Sequence, residues 1–75
     1  MKRVVYEQAW RNEFARRLNS RMEYLEIDQT RLSQLSGISQ SSIHKYANGR
    51  NTPRASVIPR LAKALALSVS DLIDF

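Results

Sequence analysis

The chain has 75 residues, enough for one small domain with a modest core but not for a second domain, and a catalytic pocket is not expected. It has no cysteine and one histidine, which excludes a disulfide framework and a metal site built from thiolates or imidazoles. Twelve Lys and Arg against seven Asp and Glu give a net charge of +5, which favours a polyanionic partner, and no apolar run approaches a membrane span or a signal peptide.

The first predicted helix extends from about Glu7 to Tyr24. Apolar side chains recur roughly every three to four residues, the spacing of an amphipathic helix: Trp10, Phe14, Leu18, Met22 and Leu25. The other face carries Arg11, Arg16, Arg17 and Arg21. Residues 1–6 precede this helix as a basic tail or arm, within which Arg3 to Tyr6 is compatible with an extended segment.

Two short helices follow. Asp28 is the predicted N-cap of the second helix, because its carboxylate can accept hydrogen bonds from the free amides of the first turn, and this helix ends near Ser36. Ser39 is the predicted N-cap of the third helix. Asn48-Gly49 ends the third helix in the manner of a left-handed C-cap, and a basic loop comes next.

The last two predicted helices are marked by serines and a proline. Ser56 is the predicted N-cap of the fourth helix, which places Pro59 in the first turn, where its missing N–H costs little. Ser68 and Asp71 form a capping-box pattern for a short fifth helix, from Val69 to about Ile73. We therefore predict an all-α, compact five-helix bundle.

The second and third helices have the outline of a DNA-reading helix-turn-helix within a domain that spans residues 7–75. Gly37 lies where the chain reverses, and glycine takes a positive φ there without a Cβ clash. The apolar residues predicted to bury one side of the pair are Leu32, Leu35, Ile38, Ile43 and Tyr46. The third helix then presents Gln40, Ser41, His44 and Lys45 outwards. These side chains have hydrogen-bonding groups of the right reach for base edges in a major groove.

From about Phe14 to Ile73 the chain resembles the phage repressor and Cro-type helix-turn-helix family of DNA-binding transcriptional regulators. The residues that carry the resemblance are Gln29, Leu32 with Ser33, Gly37, Ser39, Ile43, Gly49, Pro53 and the segment LAKALALSVSDLI that begins at Leu61. The resemblance implies a λ-repressor-like five-helix bundle, with the second helix of the motif in the major groove of duplex DNA.

The resemblance also implies roles for individual residues. Gln29 would be a phosphate clamp at the start of the first motif helix. The implied base readers are Gln40, Ser41 and Lys45, with His44 as a fourth candidate. The implied contacts to the DNA backbone are Ser39, Ser42, Asn48 and Arg50. Arg54, in the loop directly after the recognition helix, is also predicted to contact phosphate and could reach toward a minor groove.

A homodimer is expected on geometric grounds. A roughly palindromic operator requires two recognition helices about 34 Å apart, one turn of duplex, and each chain supplies only one. The candidate interface consists of Leu72, Ile73 and Phe75, apolar residues at the end of the chain that a monomer would have difficulty covering. The expected compartment is the cytoplasm, in contact with the nucleoid.

One departure from the family concerns the first and third helices. Many members pair an arginine near the end of the first helix with a glutamate late in the recognition helix, but Met22 and Ala47 occupy those positions here. Loss of one partner would leave an unpaired buried charge and would lower the stability of the fold by about 3–5 kcal/mol. Replacement of both partners by apolar groups can leave the stability unchanged. We expect Met22 to pack against Ala47 and the neighbouring Arg21 to be solvated.

Other interpretations compete with the DNA-binding one. The polar face of the third helix and the loop arginines are also compatible with ordinary solvated surface. Lys2 and Arg3 are compatible with a frayed tail, with a DNA-tracking arm or with a strand in a dimer. A protein-interaction module, such as an antitoxin that retains the fold, would use the apolar chain ends and Trp10 instead. Charge alone also permits RNA binding, although the chain lacks a typical aromatic stacking platform. An enzyme is not expected, since there is no glycine-rich phosphate loop, and no cofactor or small-molecule ligand is implied.

Overall fold

The computed structural model describes the backbone of residues 3–75 and the side chains of residues 6–75. The elements are α1 (Arg3–Leu25), α2 (Gln29–Ser36), α3 (Gln40–Ala47), α4 (Ile58–Ala64) and α5 (Val69–Ile73). Residues 3–75 form no strand, and their Cα radius of gyration is 11.7 Å. The predicted all-α five-helix domain is therefore confirmed.

The first helix is longer than predicted. It begins at Arg3, upstream of the expected start near Glu7, so Arg3 to Tyr6 is helical and the extended segment considered there was wrong. Lys2 and the side chain of Arg3, considered as a DNA-tracking arm, lie outside the described residues. Within those limits, no helix combines the length and the apolar character that crossing a bilayer requires.

The core lies between the five helices, with α1 packed mainly against α3 and α5. Its fully buried large side chains are Phe14, Leu18, Leu32, Ile43, Leu61, Leu65 and Leu72. Met22 and Ala47, which are expected to pack together, both belong to this buried cluster. Leu35 was wrongly predicted to be buried, because it lies on the outer side of α2 and is 47% exposed.

Local caps set most of the helix boundaries. The Asp28 side chain accepts a hydrogen bond from the amide of Arg31 at 2.8 Å, and the Ser68–Asp71 capping box is formed, both as predicted. The predicted cap at Ser56 was wrong. Helix α4 begins at Ile58, and Val57 occupies the N-cap position without a side-chain cap, because the carbonyl of Arg54 accepts hydrogen bonds from the amides of Val57 (2.9 Å) and Ile58 (3.3 Å).

Two arginines of α1 bind the C-terminal part of the chain. Arg21 donates from Nε to the carbonyl of Leu65 at 2.8 Å and from Nη2 to that of Ala66 at 3.3 Å. Arg17 donates from Nη1 to the carbonyl of Asp71 at 2.9 Å. The expectation that Arg21 is solvated was wrong, since it supplies donors to carbonyls that α4 leaves without partners at its end.

The outer face of α1 carries a local ion-pair cluster. The Glu13 carboxylate accepts hydrogen bonds from Arg16 at 2.6 Å and from Arg17 at 3.1 Å. These bonds, first from Arg16 and then from Arg17, lower the pKa of Glu13 from 4.5 to about 2. Arg16 and Arg17 are thus already paired within their own helix.

Candidate nucleic-acid interface

Helix α3 has one buried face and one polar face. Ile43, Tyr46 and Ala47 are buried, and an α-helix has about 3.6 residues per turn, so the residues between them point away from the core. The exposed side chains of α3 are those of Gln40, Ser41, His44 and Lys45. The structure therefore brings the predicted base readers together on a single solvent-facing surface.

The start of α3 is fixed by two serines. The hydroxyl of Ser39 accepts a hydrogen bond from the amide of Ser42 at 3.1 Å, which makes Ser39 the N-cap as predicted. The same hydroxyl donates to Oγ of Ser42 at 2.9 Å. Both predicted backbone-contacting serines thus lie at the first turn of the helix, where free amides give a partial positive charge.

The turn before α3 is held from within and from α4. Gly37 has φ of +72°, the left-handed conformation predicted for it. Ser33 donates from Oγ to the carbonyl of Ile38 at 2.6 Å, across the turn. From α4, Arg60 donates from Nε to the carbonyl of Ser36 at 3.2 Å and from Nη2 to that of Gly37 at 2.8 Å. Sequence reasoning missed Arg60, whose role depends on this long-range contact.

The end of α3 is held by α1. Asn19 donates from Nδ2 to the carbonyl of Ala47 at 2.8 Å, and Gln8 donates from Nε2 to that of Gly49 at 3.1 Å. Gly49 has φ of +67°, so the predicted left-handed termination is confirmed. Hydrogen bonds from α1 thus hold the end of α3, and those from Ser33 and Arg60 hold the turn at its start.

A polar network joins α2 to the exposed face of α3. Gln40 donates from Nε2 to Oγ1 of Thr30 at 2.9 Å. Nδ1 of His44 lies 3.3 Å from Oε1 of Gln29, the predicted phosphate clamp. Asn48 donates from Nδ2 to the carbonyl of His44 at 2.7 Å. The side chains of α2 and α3 that are predicted to contact bases and phosphates therefore form one continuous surface.

Three cations of this region have no partner in the described part of the chain. The side chains of Lys45, Arg50 and Arg54 are exposed and form no hydrogen bond or ion pair with any described residue. This distinguishes them from Arg16 and Arg17, which share the Glu13 carboxylate. Their charge is thus fully available to an external anion.

A charge asymmetry along the sequence accounts for the missing partners. No Asp or Glu occurs between Gln29 and Ser70, so all seven acidic residues lie outside the motif and the loop after it. The basic residues within this stretch are Arg31, Lys45, Arg50, Arg54, Arg60 and Lys63. This asymmetry does not distinguish Arg60 from Lys63, and only the contacts of Arg60 with the turn do so.

A polar groove runs beside the start of α3. It has a volume of about 420 Å³, and its lining includes Ser39, Ser42, Arg54 and Arg60. Two hydroxyls and two guanidinium groups from separate elements thus surround one space. The Ser39 hydroxyl already donates to Ser42, so the donors that remain for a ligand are the Ser42 hydroxyl and the two arginines, which suit a phosphate group through charge-assisted hydrogen bonds.

The three predicted interface residues have different environments. Leu72 is fully buried in the core of its own chain, so it cannot form an intermolecular surface. Ile73 is half-buried, and Phe75 is 46% exposed with its ring centroid 5.5 Å from that of Trp10. The prediction erred at Leu72 because α5 turns this residue inward, against α1 and α4.

Comparison with known proteins agrees with this architecture. The family model described as "Helix-turn-helix domain" matches residues 13–74, a span that includes the whole bundle except the first part of α1. No curated protein and no solved structure matches the chain significantly. Since the matched span covers most of the chain, this protein belongs to the helix-turn-helix domain family, a family of DNA-binding domains.

Proposed function

We propose that this protein is a sequence-specific transcription regulator of the repressor and Cro type that binds double-stranded DNA. In this proposal α3 lies in the major groove, where Gln40, Ser41, His44 and Lys45 meet base edges. Lysine suits the O6 and N7 acceptors of guanine, and glutamine suits the N6 and N7 groups of adenine. Each good pair contributes about 1–3 kcal/mol of discrimination against the wrong base.

One observation carries the proposal. The cations on α3 and on the loop that follows it, Lys45, Arg50 and Arg54, have no partner among the described residues and lie in a stretch without acidic side chains. An ordinary solvated surface usually interleaves both signs of charge. A surface that carries only cations and neutral polar groups is complementary to the DNA backbone.

The phosphate contacts follow from the positions of the polar side chains. We assign Gln29 to a phosphate at the start of α2 and Asn48 with Arg50 to the strand that passes the end of α3. Ser39, Ser42 and Arg54 line the groove beside the first turn of α3 and would hold a second phosphate. These contacts fix the register of the protein on the duplex, whereas α3 supplies the sequence preference.

We further propose that two copies bind one palindromic site. The described chain measures 37 × 23 × 22 Å and contains a single helix-turn-helix. A palindrome with half-sites about 34 Å apart therefore requires a second copy. Ile73 and Phe75 are the remaining interface candidates, since both are at least partly accessible.

The decisive experiment is a selection from random duplex DNA with wild type and two variants. We expect wild type to recover an inverted repeat, and Lys45→Ala to lose preference at one base position in each half-site. Lys63→Ala is the matched control, because it removes the same charge from α4 and should leave the recovered sequence unchanged. Recovery of no preferred sequence, identical for all three proteins, would favour a protein-interaction module or a non-specific binder.

Salt dependence provides an independent measurement. If a dimer neutralises about 8 phosphates, log K should fall against log salt with a slope of about −7. A slope near zero would exclude the DNA-binding proposal. Stronger binding to single-stranded RNA than to duplex DNA would instead favour the RNA alternative.

A further inference from the structure

Arg60 has an unusual position for an exposed arginine. Its guanidinium lies over the turn of the helix-turn-helix, with Nε 3.2 Å from the carbonyl of Ser36 and Nη2 2.8 Å from that of Gly37. A Cβ atom added at Gly37 would lie only 2.8 Å from Nη2, so the guanidinium is close against the turn. Since α4 carries Arg60, these bonds join α4 to the junction between α2 and α3.

These two bonds leave part of the guanidinium unused. Arginine has five N–H donors in a planar fork, and the third nitrogen of Arg60, Nη1, forms no hydrogen bond with any residue that the structure describes. Arg60 also lines the polar groove beside α3, together with Arg54 and Ser39. One side of the fork is thus bound to the turn, while the same side chain borders the space assigned to a phosphate.

We propose that Arg60 is a further DNA-contacting residue that holds the turn with two nitrogens and donates from Nη1 to a backbone phosphate in this groove. This inference rests on the proposed function. A phosphate bound in this way is connected through one side chain to the turn that precedes α3. Lysine cannot replace this arrangement, because a single ammonium group lacks the planar fork.

The experiment measures binding to a labelled random-sequence duplex over a range of salt concentrations. We expect Arg60→Gln to weaken binding of the dimer about a hundredfold, because each of its two subunits loses one charge-assisted hydrogen bond and each loss weakens binding about tenfold. The salt slope should become shallower by about 2, because each subunit of a dimer loses one phosphate contact. Lys63→Gln removes one charge from the same helix and should change neither the affinity nor the slope appreciably.

Arg60→Lys separates charge from geometry. We expect it to keep most of the salt slope but to lose part of the preference for the selected site over random duplex, since the turn carbonyls lose one of their two donors. If Arg60→Gln weakens binding with an unchanged slope, Arg60 supports the turn only and the phosphate contact is excluded. A partly unfolded variant would lower the active fraction without altering the slope, so the slope remains informative.

Failure of this inference differs from failure of the proposed function. If wild type itself binds duplex without salt dependence, the proposed function fails. If wild type binds with a steep slope and Arg60→Gln reproduces both its affinity and its slope, only the assignment of Arg60 is overturned.

Discussion

The side-chain amide of Asn19 donates a 2.8 Å hydrogen bond from Nδ2 to the carbonyl oxygen of Ala47, the last residue of α3. A carbonyl in the last turn of a helix has no partner within that helix, so α1 supplies the missing donor. Met22 and Ala47 are meanwhile buried in the same apolar cluster. Where many repressor and Cro-type proteins pair two charges, this chain combines apolar burial with a neutral hydrogen bond.

Removal of this hydrogen bond should weaken the attachment of α3. We expect Asn19→Ala to lower the free energy of unfolding by about 1 kcal/mol, the typical net contribution of one intramolecular hydrogen bond. Ser20→Ala is the matched control, because Ser20 is the next residue of α1, is exposed and forms no hydrogen bond with a described residue through its side chain. Urea denaturation measures both variants, and equal stabilities would contradict the assigned role of Asn19.

Gly49 is the position at the end of α3 that should tolerate substitution least. Its φ of +67° is strained for other residues, and an added Cβ would lie 2.9 Å from Oδ1 of Asn12. We expect Gly49→Ala to cost about 1–2 kcal/mol from the backbone conformation and more from the steric contact. In the Asn12→Ala background the steric part should disappear, so the cost measured by urea denaturation should be smaller. An equal cost in both backgrounds would exclude the steric contribution.

Arg21 should contribute to stability although it lies near the surface. Arg21→Met keeps most of the apolar stem but leaves the carbonyls of Leu65 and Ala66 without their donor, which we expect to cost about 1–2 kcal/mol. Arg16→Met is the control, since the Arg16 side chain is 65% exposed and, among the described residues, pairs only with Glu13. If thermal denaturation shows the same small effect for both variants, the Arg21 hydrogen bonds add no net stability.

Local signals in the sequence were enough to predict most helix boundaries. A cap such as Asp28 or Gly37 acts within about four residues, so its chemistry can be recognised without knowledge of the fold. The prediction failed where a more distant or a backbone partner decided the outcome. Val57, not Ser56, is the N-cap of α4, because the backbone carbonyl of Arg54 accepts hydrogen bonds from the amides at the start of the helix. Arg21 donates hydrogen bonds to carbonyls more than forty residues away in the sequence.

The candidate site was predictable to a similar extent. Helical periodicity alone placed Gln40 and Lys45 on the exposed face of α3, because Ile43 and Tyr46 had to be buried. The contribution of Arg60 could not be derived in this way, since it depends on how α4 packs against the turn.

Acid should destabilise the protein partly through Glu13. The pKa of its carboxyl is lowered to about 2 by hydrogen bonds from Arg16 and Arg17, so the folded state binds its proton more weakly than the unfolded state does. This contribution to stability is present above pH 4.5 and is lost as the pH falls toward 2. In Glu13→Gln the decline of the melting temperature between these pH values should be shallower than in wild type.

A matched control for this pH dependence lies on the same helix. Glu23 is exposed, and its side chain accepts no hydrogen bond from a described residue, so Glu23→Gln should leave the decline unchanged. Added salt should reduce the difference between wild type and Glu13→Gln, because exposed ion pairs are screened. Parallel curves for all three proteins would mean that the Glu13 cluster does not contribute to acid stability.

Substitutions at the two apolar residues Leu72 and Phe75 should affect folding and dimer formation separately. Leu72 is fully buried, so Leu72→Ala leaves a cavity in the core and should cost about 2–5 kcal/mol in the free energy of unfolding. Phe75 is 46% exposed and contacts Trp10 and Arg17 at the surface. Phe75→Ala should therefore cost less stability but should weaken association of two copies.

Sedimentation in the presence of a palindromic duplex distinguishes these effects. We expect wild type to bind the duplex as two copies, and Phe75→Ala to bind with one copy per duplex at the same protein concentration. Its single-site affinity should be close to that of wild type, because Phe75 follows α5, which packs mainly against α1 and α4, whereas α3 packs mainly against α1 and α2. If Phe75→Ala still binds as two copies, the C-terminal residues are not the interface, and the second copy must associate through another surface.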